Sequence, residues 1–421
     1  MKKILFNVSV ILYCISCISQ SLKVQNSEDK LIIDFDQVKY SDTCLLASNL
    51  FKSVKIIPLE TNVSCLIGMI TKIEVIDDYI LIMDNFIANS LYLFDREGRF
   101  IRKIGSMGQG PGEYVSISDF TIDRENKTVY LRDGRLGRIY QYDIASGKYI
   151  QSIMPTRNAD RPAIHHINHN GGNLYASAIY YKHSPNNSLL FSIDQSSGKE
   201  KNYFLNVMEY NKGYSNLFGN NFIDRPFFSR YNGDIIFIQP LMNHIIEITK
   251  DGVFSLIEFK GKNMLTTSEA KKLYELYNTK NVGKESNIEI FSERSRMDKY
   301  THFFSYVEDK ENIYIEMQIS RSLHRVVINK KTNEICVFKC FKNNVLYSDR
   351  VSSGGRRHYP IGCSDSAGIY YHASTPLSNG IPELQKSFKT GDLSPDVIGL
   401  EKIMELKDDD NPVLLYYEFH E

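Results

Sequence analysis

The stretch SLYLFDREGRFIRKIGSMGQGPGEYVSISDFTID, residues 90–123, contains the patterns that decide the fold. Apolar residues first alternate with polar ones on both sides of a turn at Gly98, which is the pattern of a β-hairpin. Four glycines and a proline follow within residues 105–112, and a second alternating run begins at Val115. The stretch therefore predicts a hairpin, a glycine-rich connection and a new strand.

The hairpin pattern is repeated along the chain. Five copies have apolar residues alternating on both sides of a turn that carries a glycine or an asparagine. They are SLYLFDREGRFIRKIG, RIYQYDIASGKYIQSI, SLLFSIDQSSGKEKNYFL, HIIEITKDGVFSLIEF and LHRVVINKKTNEICVFKCF, with the turn residues Gly98, Gly147, Gly198, Gly252 and Asn333. Each copy follows a polar turn and a short β-rich run, and six such runs begin at Ile80, Val129, Leu174, Ile235, Ile313 and Ile369. Their spacings of 45 to 78 residues fit four-stranded propeller blades with insertions.

The two ends of the chain are predicted to complete the last blade. The sixth unit has a single outer strand, VLLYYEF, and VKIIPLE at residues 54–60 precedes the first blade without a partner of its own. Pairing these two strands closes a ring and removes exposed sheet edges. We therefore predict an all-β fold over residues 51–421, a six-bladed β-propeller of four-stranded antiparallel blades whose N- and C-terminal strands share the last blade.

The glycine-rich connection does not match a nucleotide-binding loop. A dinucleotide fingerprint requires Gly-x-Gly-x-x-Gly between a strand and a helix, whereas a strand-like segment follows here and the glycine spacing differs. A P-loop ends in Gly-Lys-Ser/Thr, but Gly110 is followed by Pro111 and Gly112. We interpret the segment as the connection from the outermost strand of one blade to the innermost strand of the next, with Gly110 and Gly112 at positive φ.

Two insertions with helical features are predicted near residues 263–299 and 380–410. In the first, LTTSEAKKLYELYNTK has apolar residues at roughly helical spacing, with Thr267 or Ser268 as the N-cap. In the second, SPDVIGLEKIMELKDDD starts with Ser394 as the N-cap and a proline at the first helical position. Short helices are therefore expected beside the ring.

The first 17 residues have the layout of a secretory signal, with two lysines, an apolar run and then small residues. Ile15-Ser16-Cys17 resembles a bacterial lipobox, which predicts acylation of Cys17; an ordinary cleaved signal is the alternative. Residues 18–50 are expected to be a tether and N-terminal extension, with residues 21–30 solvated. These features predict a cell-envelope protein that is lipid-anchored, in the periplasm or at the outer membrane or cell surface.

Charge and cysteine content narrow the classes of function. The 50 basic and 50 acidic residues give no net charge, so nucleic acid is not expected as a partner. The cysteines beyond the signal do not form a recognisable disulfide framework; they are Cys44, Cys65, Cys336, Cys340 and Cys363. Cys336 and Cys340 are interpreted as small buried apolar groups.

The residues IRKIGSMGQGPGEYVSISDFTID, preceded by VKIIPLE and LYLFDREGRF, resemble the six-bladed β-propeller lipoprotein family of Bacteroides-type Gram-negative bacteria, related in architecture to NHL and TolB-like propellers. The structural motif of the resemblance is Gly108, Gly110, Pro111, Gly112, Glu113 and Tyr114. Residues 50–260 carry most of the similarity, and the later blades share only the repeat pattern. The resemblance implies a secreted or envelope-anchored propeller whose activity is largely unassigned.

Candidate ligand-binding residues come from the start of each innermost strand, where side chains of all blades converge at the rim of the channel. They are Lys72, Glu113, Asp119, His165, Arg225, His302, Arg357 and His358. This set is predicted to form a polar pocket for an anionic ligand. His165, His166 and His169 cannot all share one ion on a strand, so no metal site is assigned, and calcium is kept only as an open alternative.

Two functions fit this pattern. The first is a binding or interaction module that docks a glycan, a peptide or a partner protein, as a monomer and without catalysis. The second is a metal-dependent hydrolase or lyase of the lactonase or NHL-lyase type. The chain has no Gly-x-Ser-x-Gly elbow, no His-Glu-x-x-His and no kinase signature, so no catalytic residue is assigned and the first function is favoured.

Overall fold

The predicted propeller ring is confirmed by the structure, a computed structural model. It describes residues 24–155, 163–179, 188–210, 226–239, 241–269, 300–348, 363–364, 367–372 and 380–420. Six four-stranded antiparallel sheets form the blades of one ring, and the helices are few and short. The chain is therefore a six-bladed β-propeller.

Blades 1 to 3 contain consecutive strands, ordered from the innermost to the outermost. Blade 1 consists of Lys72–Ile76, Tyr79–Asp84, Ser90–Asp95 and Phe100–Lys103. Blade 2 consists of Ile117–Asp123, Thr128–Asp133, Arg138–Asp143 and Tyr149–Ile153. Blade 3 consists of Ala163–Asn170, Asn173–Ile179, Ser188–Ile193 and Glu200–Asn206. The outer hairpin turns contain Gly98, Gly147 and Gly198 at φ of 84°, 70° and 70°, as the sequence pattern predicts.

Blades 4 and 5 each have a fifth strand, which comes from the N-terminal extension. The four regular strands are Phe227–Ser229, Ile235–Phe237, His244–Thr249 and Gly252–Lys260 in blade 4. They are His302–Glu308, Asn312–Ile319, Ser322–Asn329 and Ile335–Phe338 in blade 5. Gln25–Asp34 pairs in parallel with the outermost strand of blade 4, and Lys39–Ser41 with that of blade 5. Residues 25–30, which were expected to be a solvated tether, therefore belong to an edge strand, in which Gln25, Asn26 and Glu28 are exposed.

A disulfide between Cys44 and Cys340 attaches the extension to blade 5, just after the outermost strand of that blade ends. A short parallel pairing of Leu45–Leu46 with Phe341–Lys342 follows it. The interpretation of Cys340 as a small buried apolar group is therefore wrong. Its partner lies 296 residues away in the sequence, and only the fold brings the two side chains within bonding distance.

The two chain ends close the ring as predicted. Blade 6 consists of Cys363–Ser364, Gly368–His372, Val413–Phe419 and Phe51–Pro58. The last two strands pair antiparallel, with Val413 opposite Pro58 and Phe419 opposite Phe51. We call this pairing the clasp.

Six clusters of buried apolar side chains join the blades, one at each interface between neighbours. Leu93 of blade 1 belongs to the same cluster as Phe120 of blade 2. At the closure, Tyr370 and Leu414 of blade 6 share a cluster with Ile80 of blade 1. Each sheet can contribute to two clusters because successive side chains on a strand point to opposite faces.

The helices differ in detail from the predictions. Ser394 does not begin a helix: its hydroxyl accepts a hydrogen bond from the Asp396 N–H at 3.4 Å, within a turn. Gly399, at a φ of 83°, separates this turn from a 3-10 helix, because a left-handed residue interrupts helical geometry. The helices with described bounds are Ala47–Asn49 (3-10), Val207–Tyr210, Ile381–Lys389 and Leu400–Glu405 (3-10).

The first insertion begins with a capping box one residue earlier than predicted. Thr266 Oγ1 accepts the Glu269 N–H at 3.2 Å, and Glu269 Oε2 accepts the Thr266 N–H at 3.2 Å. Thr266 is therefore the N-cap, rather than Thr267 or Ser268. Helical residues are described at 267–269, and the remainder of that predicted helix lies outside the described residues.

Deleting residues 413–421 should unfold the whole ring. Val413, Leu414, Leu415 and Tyr417 are at most 1% exposed, and burial of each such side chain contributes about 1.5–3 kcal/mol. Their sum is comparable with the entire stability of a typical protein, about 5–15 kcal/mol. Urea unfolding followed by circular dichroism measures the loss. A chain ending at Phe419 keeps the clasp and should shift the free energy of unfolding by no more than about 0.5 kcal/mol; an unchanged midpoint for the longer deletion contradicts the closure.

Candidate functional site

Three of the predicted rim residues lie on innermost strands near the axis: Lys72, Asp119 and His165. Asp119 of blade 2 makes contacts with the blades on both sides. Lys72 Nζ of blade 1 donates to Asp119 Oδ1 at 2.9 Å and to the carbonyl oxygen of Phe120 at 2.5 Å. The backbone N–H of Ile167, in blade 3, donates to Asp119 Oδ2 at 2.8 Å. Because the Lys72 ammonium is also 3.7 Å from a Glu74 carboxylate oxygen, its charge is balanced by carboxylates instead of being offered to an anionic ligand.

Two histidines complete this cluster. His166 Nδ1 lies 3.6 Å from Asp119 Oδ2, and the rings of His165 and His166 meet edge to face at 4.2 Å. Burial alone would raise the pKa of Asp119, but Lys72 and His166 outweigh it and hold that pKa well below its usual range. Burial, assisted by His166, lowers the pKa of His165 to about 4. The cluster therefore contains an ionised carboxylate beside a neutral His165 at pH 7.

The depressed pKa of His165 predicts acid sensitivity. The unfolded state binds the proton near pH 6.5 and the folded state only near pH 4, so stability is present above about pH 6.5 and is lost as the pH falls towards about 4. His165→Gln should flatten the dependence of the melting temperature on pH over this window. Parallel curves for wild type and His165→Gln contradict this assignment.

The other predicted rim residues are not brought into this cluster by any described contact. His302 is the first residue of the innermost strand of blade 5 and is paired in register with Gln318. Glu113 lies in the glycine-rich connection, where its Oε2 accepts the Gly110 N–H at 2.8 Å. Arg225, Arg357 and His358 lie outside the described residues. Cys17, the predicted lipidation site, also lies outside them.

The glycine-rich connection is a loop whose two ends are joined by backbone pairing. Its ends, Ser106–Met107 and Glu113–Tyr114, pair in parallel. Gly112 has a φ of 76°, and a Cβ there would lie 2.6 Å from Cγ of Tyr149. Gly110 does not have a positive φ, so the expectation of a left-handed residue there is wrong. The loop needs glycine at 112 for backbone conformation and for close approach of the Tyr149 ring.

A pair of alanine substitutions tests this difference. Gly112→Ala should destabilise the protein by roughly 2 kcal/mol, because it combines a left-handed φ with a collision against Tyr149. Gly110→Ala should cost less than about 1 kcal/mol, since the nearest atom, 3.1 Å away, is the flexible end of Glu113. Chemical unfolding of the two variants gives the comparison, and equal losses contradict the explanation.

Two buried aspartates organise the loops beside this connection. Asp84 and Asp133 end the second strands of blades 1 and 2 and are fully buried. Each carboxylate accepts four backbone N–H groups, from Gly68, Met69, Phe86 and Ile87 for Asp84 and from Val115, Ser116, Arg135 and Leu136 for Asp133. The sequence signal is the Asp that ends both ILIMD and VYLRD, and it was missed because its partners are backbone groups. Each aspartate fixes a loop of its own blade to the connection that enters the same blade.

These loops expose large apolar side chains on one side of the ring. We call this set the apolar face: Leu66 (55% exposed), Phe86 (78%), Ile87 (60%), Met107 (61%) and Leu136 (38%). All five lie in connections between blades or in loops between second and third strands, which occupy the same end of the sheets. Asn89 ties blades 1 and 2 together there, since its side chain donates to the Val115 carbonyl at 3.0 Å and accepts the Ile117 N–H at 2.8 Å.

A cavity of about 300 Å³ lies at the opposite end of the inner strands, among blades 1 to 4. Its polar lining includes Glu74, Asp123, Asn168, His169, Asp234 and Lys250. Sequence reasoning placed the site at the starts of the inner strands, whereas this cavity is at their ends. The signal that would have found it is the polar run Asn168-His169-Asn170, which ends the innermost strand of blade 3 and leads into the turn Gly171-Gly172.

Among the described residues, no three His, Cys, Asp or Glu side chains converge as they would around a metal ion. Calcium or zinc binding, and with it the hydrolase or lyase alternative, stays a prediction. None of the described helices is long and apolar enough to cross a membrane.

Comparison with known proteins supports the fold. A solved structure of an exported-protein candidate from Bacteroides fragilis is 16% identical, with a TM-score of 0.67 over 93% of this chain and 100% of that chain. A member of the DUF4221 family from Bacteroides vulgatus is 12% identical, with a TM-score of 0.48 over 88% of this chain and 97% of that chain. The first likeness shows the propeller fold alone. No curated protein matches the chain in sequence. The model of a domain of unknown function, DUF4934, matches residues 30–418, and the chain therefore belongs to the DUF4934 family.

Proposed function

We propose that this protein is an exported binding module whose apolar face docks a partner protein or peptide. The observation that carries the proposal is the exposure of Phe86 and Ile87 in a loop that a buried carboxylate holds rigid. Large exposed apolar side chains grouped at one end of a domain are typical of interaction surfaces, and a rigid loop loses little conformational entropy on binding. Glycan hydroxyls need hydrogen-bond partners, which these side chains lack, so a protein or peptide fits better than a glycan.

Export is supported by the Cys44–Cys340 disulfide, because such bonds form and persist in oxidising compartments outside the cytosol. The predicted signal and lipobox agree with this location, and the similar protein of Bacteroides fragilis is itself an exported-protein candidate. We propose that Cys17 is acylated and that the propeller is anchored in the cell envelope.

In-cell photo-crosslinking tests the docking surface. A photoreactive phenylalanine analogue at position 86 should give adducts of discrete size on irradiation, because the side chain is exposed at the proposed interface. The matched control is Ile150, which is exposed at 49% but lies on the outermost strand of blade 2. The double variant Phe86→Ser/Ile87→Ser should then lose roughly 2 kcal/mol of binding free energy for the identified partner, with an unchanged melting temperature.

Absence of adducts at position 86, or the same adducts at positions 86 and 150, contradicts the proposed surface. The Cys17→Ser arm of the same experiment tests the anchor. It should move the protein from the membrane fraction to the soluble fraction while leaving the melting temperature unchanged. Retention in the membrane fraction contradicts acylation.

A further inference from the structure

The loops that carry the apolar face touch one another in sequence from blade 1 to blade 2. Gly68, in the connection that enters blade 1, lies so close to Ile87 that a Cβ on it would be 2.5 Å from Ile87 Cγ2. Asn89, in the loop of Ile87, donates to Met107 Sδ at 2.9 Å. The Asp133 carboxylate accepts N–H groups from the end of the glycine-rich connection and from the next loop of blade 2. The apolar side chains therefore form a row that runs, in order, through Leu66, Phe86, Ile87, Met107 and Leu136.

Two arginines lie at the blade 2 end of this row. Arg135 directly precedes Leu136 and is exposed, and Arg138 begins the third strand of blade 2 two residues after Leu136. The Arg138 guanidinium lies 6.0 Å from the centre of the Tyr140 ring, which supports the planar group from one side. Neither arginine forms a salt bridge with a residue that the structure describes. Both positive charges are therefore available to a partner.

The carboxylates near these arginines are engaged by backbone N–H groups. Asp133 is fully buried and accepts four of them, and Glu113 is half-buried and accepts one at 2.8 Å. N–H dipoles that point at a carboxylate oppose its charge. At the Leu66 end of the row, Lys103 is offset by Glu60, since both charges act on one buried thiol. The exposed positive charge of the apolar face is therefore concentrated beside Leu136.

We propose that the apolar face docks a polypeptide segment whose apolar residues are flanked on one side by carboxylates, and that these carboxylates bind Arg135 and Arg138. The inference rests on the proposed function of the same face and adds the chemistry of its partner. A guanidinium can hold a carboxylate with two parallel N–H donors, and arginine is enriched among the residues that dominate interface energies. The apolar residues of the segment contact Phe86 and Ile87, and its carboxylates fix its direction on the row.

In-cell crosslinking at two positions locates the two parts of the segment. The photoreactive phenylalanine analogue is placed at position 86 in one variant of the full chain and at position 136 in another, and mass spectrometry identifies the attached partner residues. Both positions should capture the same polypeptide, and the residues attached at position 136 should lie beside an Asp or a Glu. Attachment at position 136 to a segment without carboxylates overturns the proposal. Adducts that contain lipid instead of polypeptide also overturn it, in favour of a membrane surface.

Charge reversal measures the contribution of the arginines. Arg135→Glu should weaken binding of the captured partner about tenfold, because repulsion replaces attraction. The matched control is Lys331→Glu, which reverses an exposed cation without a described salt bridge in the outer hairpin turn of blade 5 and should change binding less than about twofold. Both variants should keep the melting temperature of the wild type. Lysine in place of the partner's carboxylate should weaken binding to the wild type and restore it to Arg135→Glu.

The outcomes separate this inference from the docking proposal on which it rests. Equal binding of the captured partner by the wild type and Arg135→Glu overturns the acidic partner, while docking at the apolar face stands if Phe86→Ser/Ile87→Ser still weakens binding. A loss with Lys331→Glu as large as with Arg135→Glu shows a general effect of net charge and overturns the assignment to Arg135. Absence of adducts at position 86 overturns both proposals.

Discussion

The antiparallel pairing of Phe51–Pro58 with Val413–Phe419 is the constraint on which the rest of the structure depends. A blade cannot bury both of its apolar faces alone; it needs a neighbour on each side. The clasp supplies the last two of the six interfaces, between blades 5 and 6 and between blades 6 and 1. Only in a closed ring do all six innermost strands surround one axis, which is where Asp119 meets groups from blades 1 and 3.

The N-terminal extension reinforces the same closure from outside. Gln25–Asp34 and Lys39–Ser41 cover the outer edges of blades 4 and 5, and the Cys44–Cys340 disulfide ties the chain to blade 5 just before it enters the clasp. The strand Phe51–Pro58 is thus held by its hydrogen bonds to Val413–Phe419, and the chain that leads into it is held by the disulfide at Cys44. A crosslink across 296 residues removes a large loop-closure entropy from the unfolded chain, so it opposes opening of the ring.

Local pattern was sufficient to predict the blades, because strand alternation and positive-φ turn residues such as Gly98 and Asn333 are properties of short segments. What could not be predicted depends on partners distant in sequence. Lys72 was recognised as a residue near the axis, but its engagement by Asp119 is a contact between blades. The cavity was missed for the same reason, since its wall combines the ends of strands from four blades. The Cys44–Cys340 disulfide could not be predicted either, because its two cysteines are 296 residues apart in the sequence.

The two ends of the ring are chemically different, and the structure limits how strongly they can be coupled. The innermost strand of blade 2 reaches both: the Val115 and Ser116 N–H groups beside it are held by Asp133 near the apolar face, and Thr121 and Asp123 line the cavity. Between them, Asp119 is fixed to Lys72 and Ile167 of the neighbouring blades. A shift along this strand would have to break a buried charge-assisted hydrogen bond, which is costly. A change at one end of the ring is therefore expected to leave the geometry of the other end unchanged, as in a rigid scaffold.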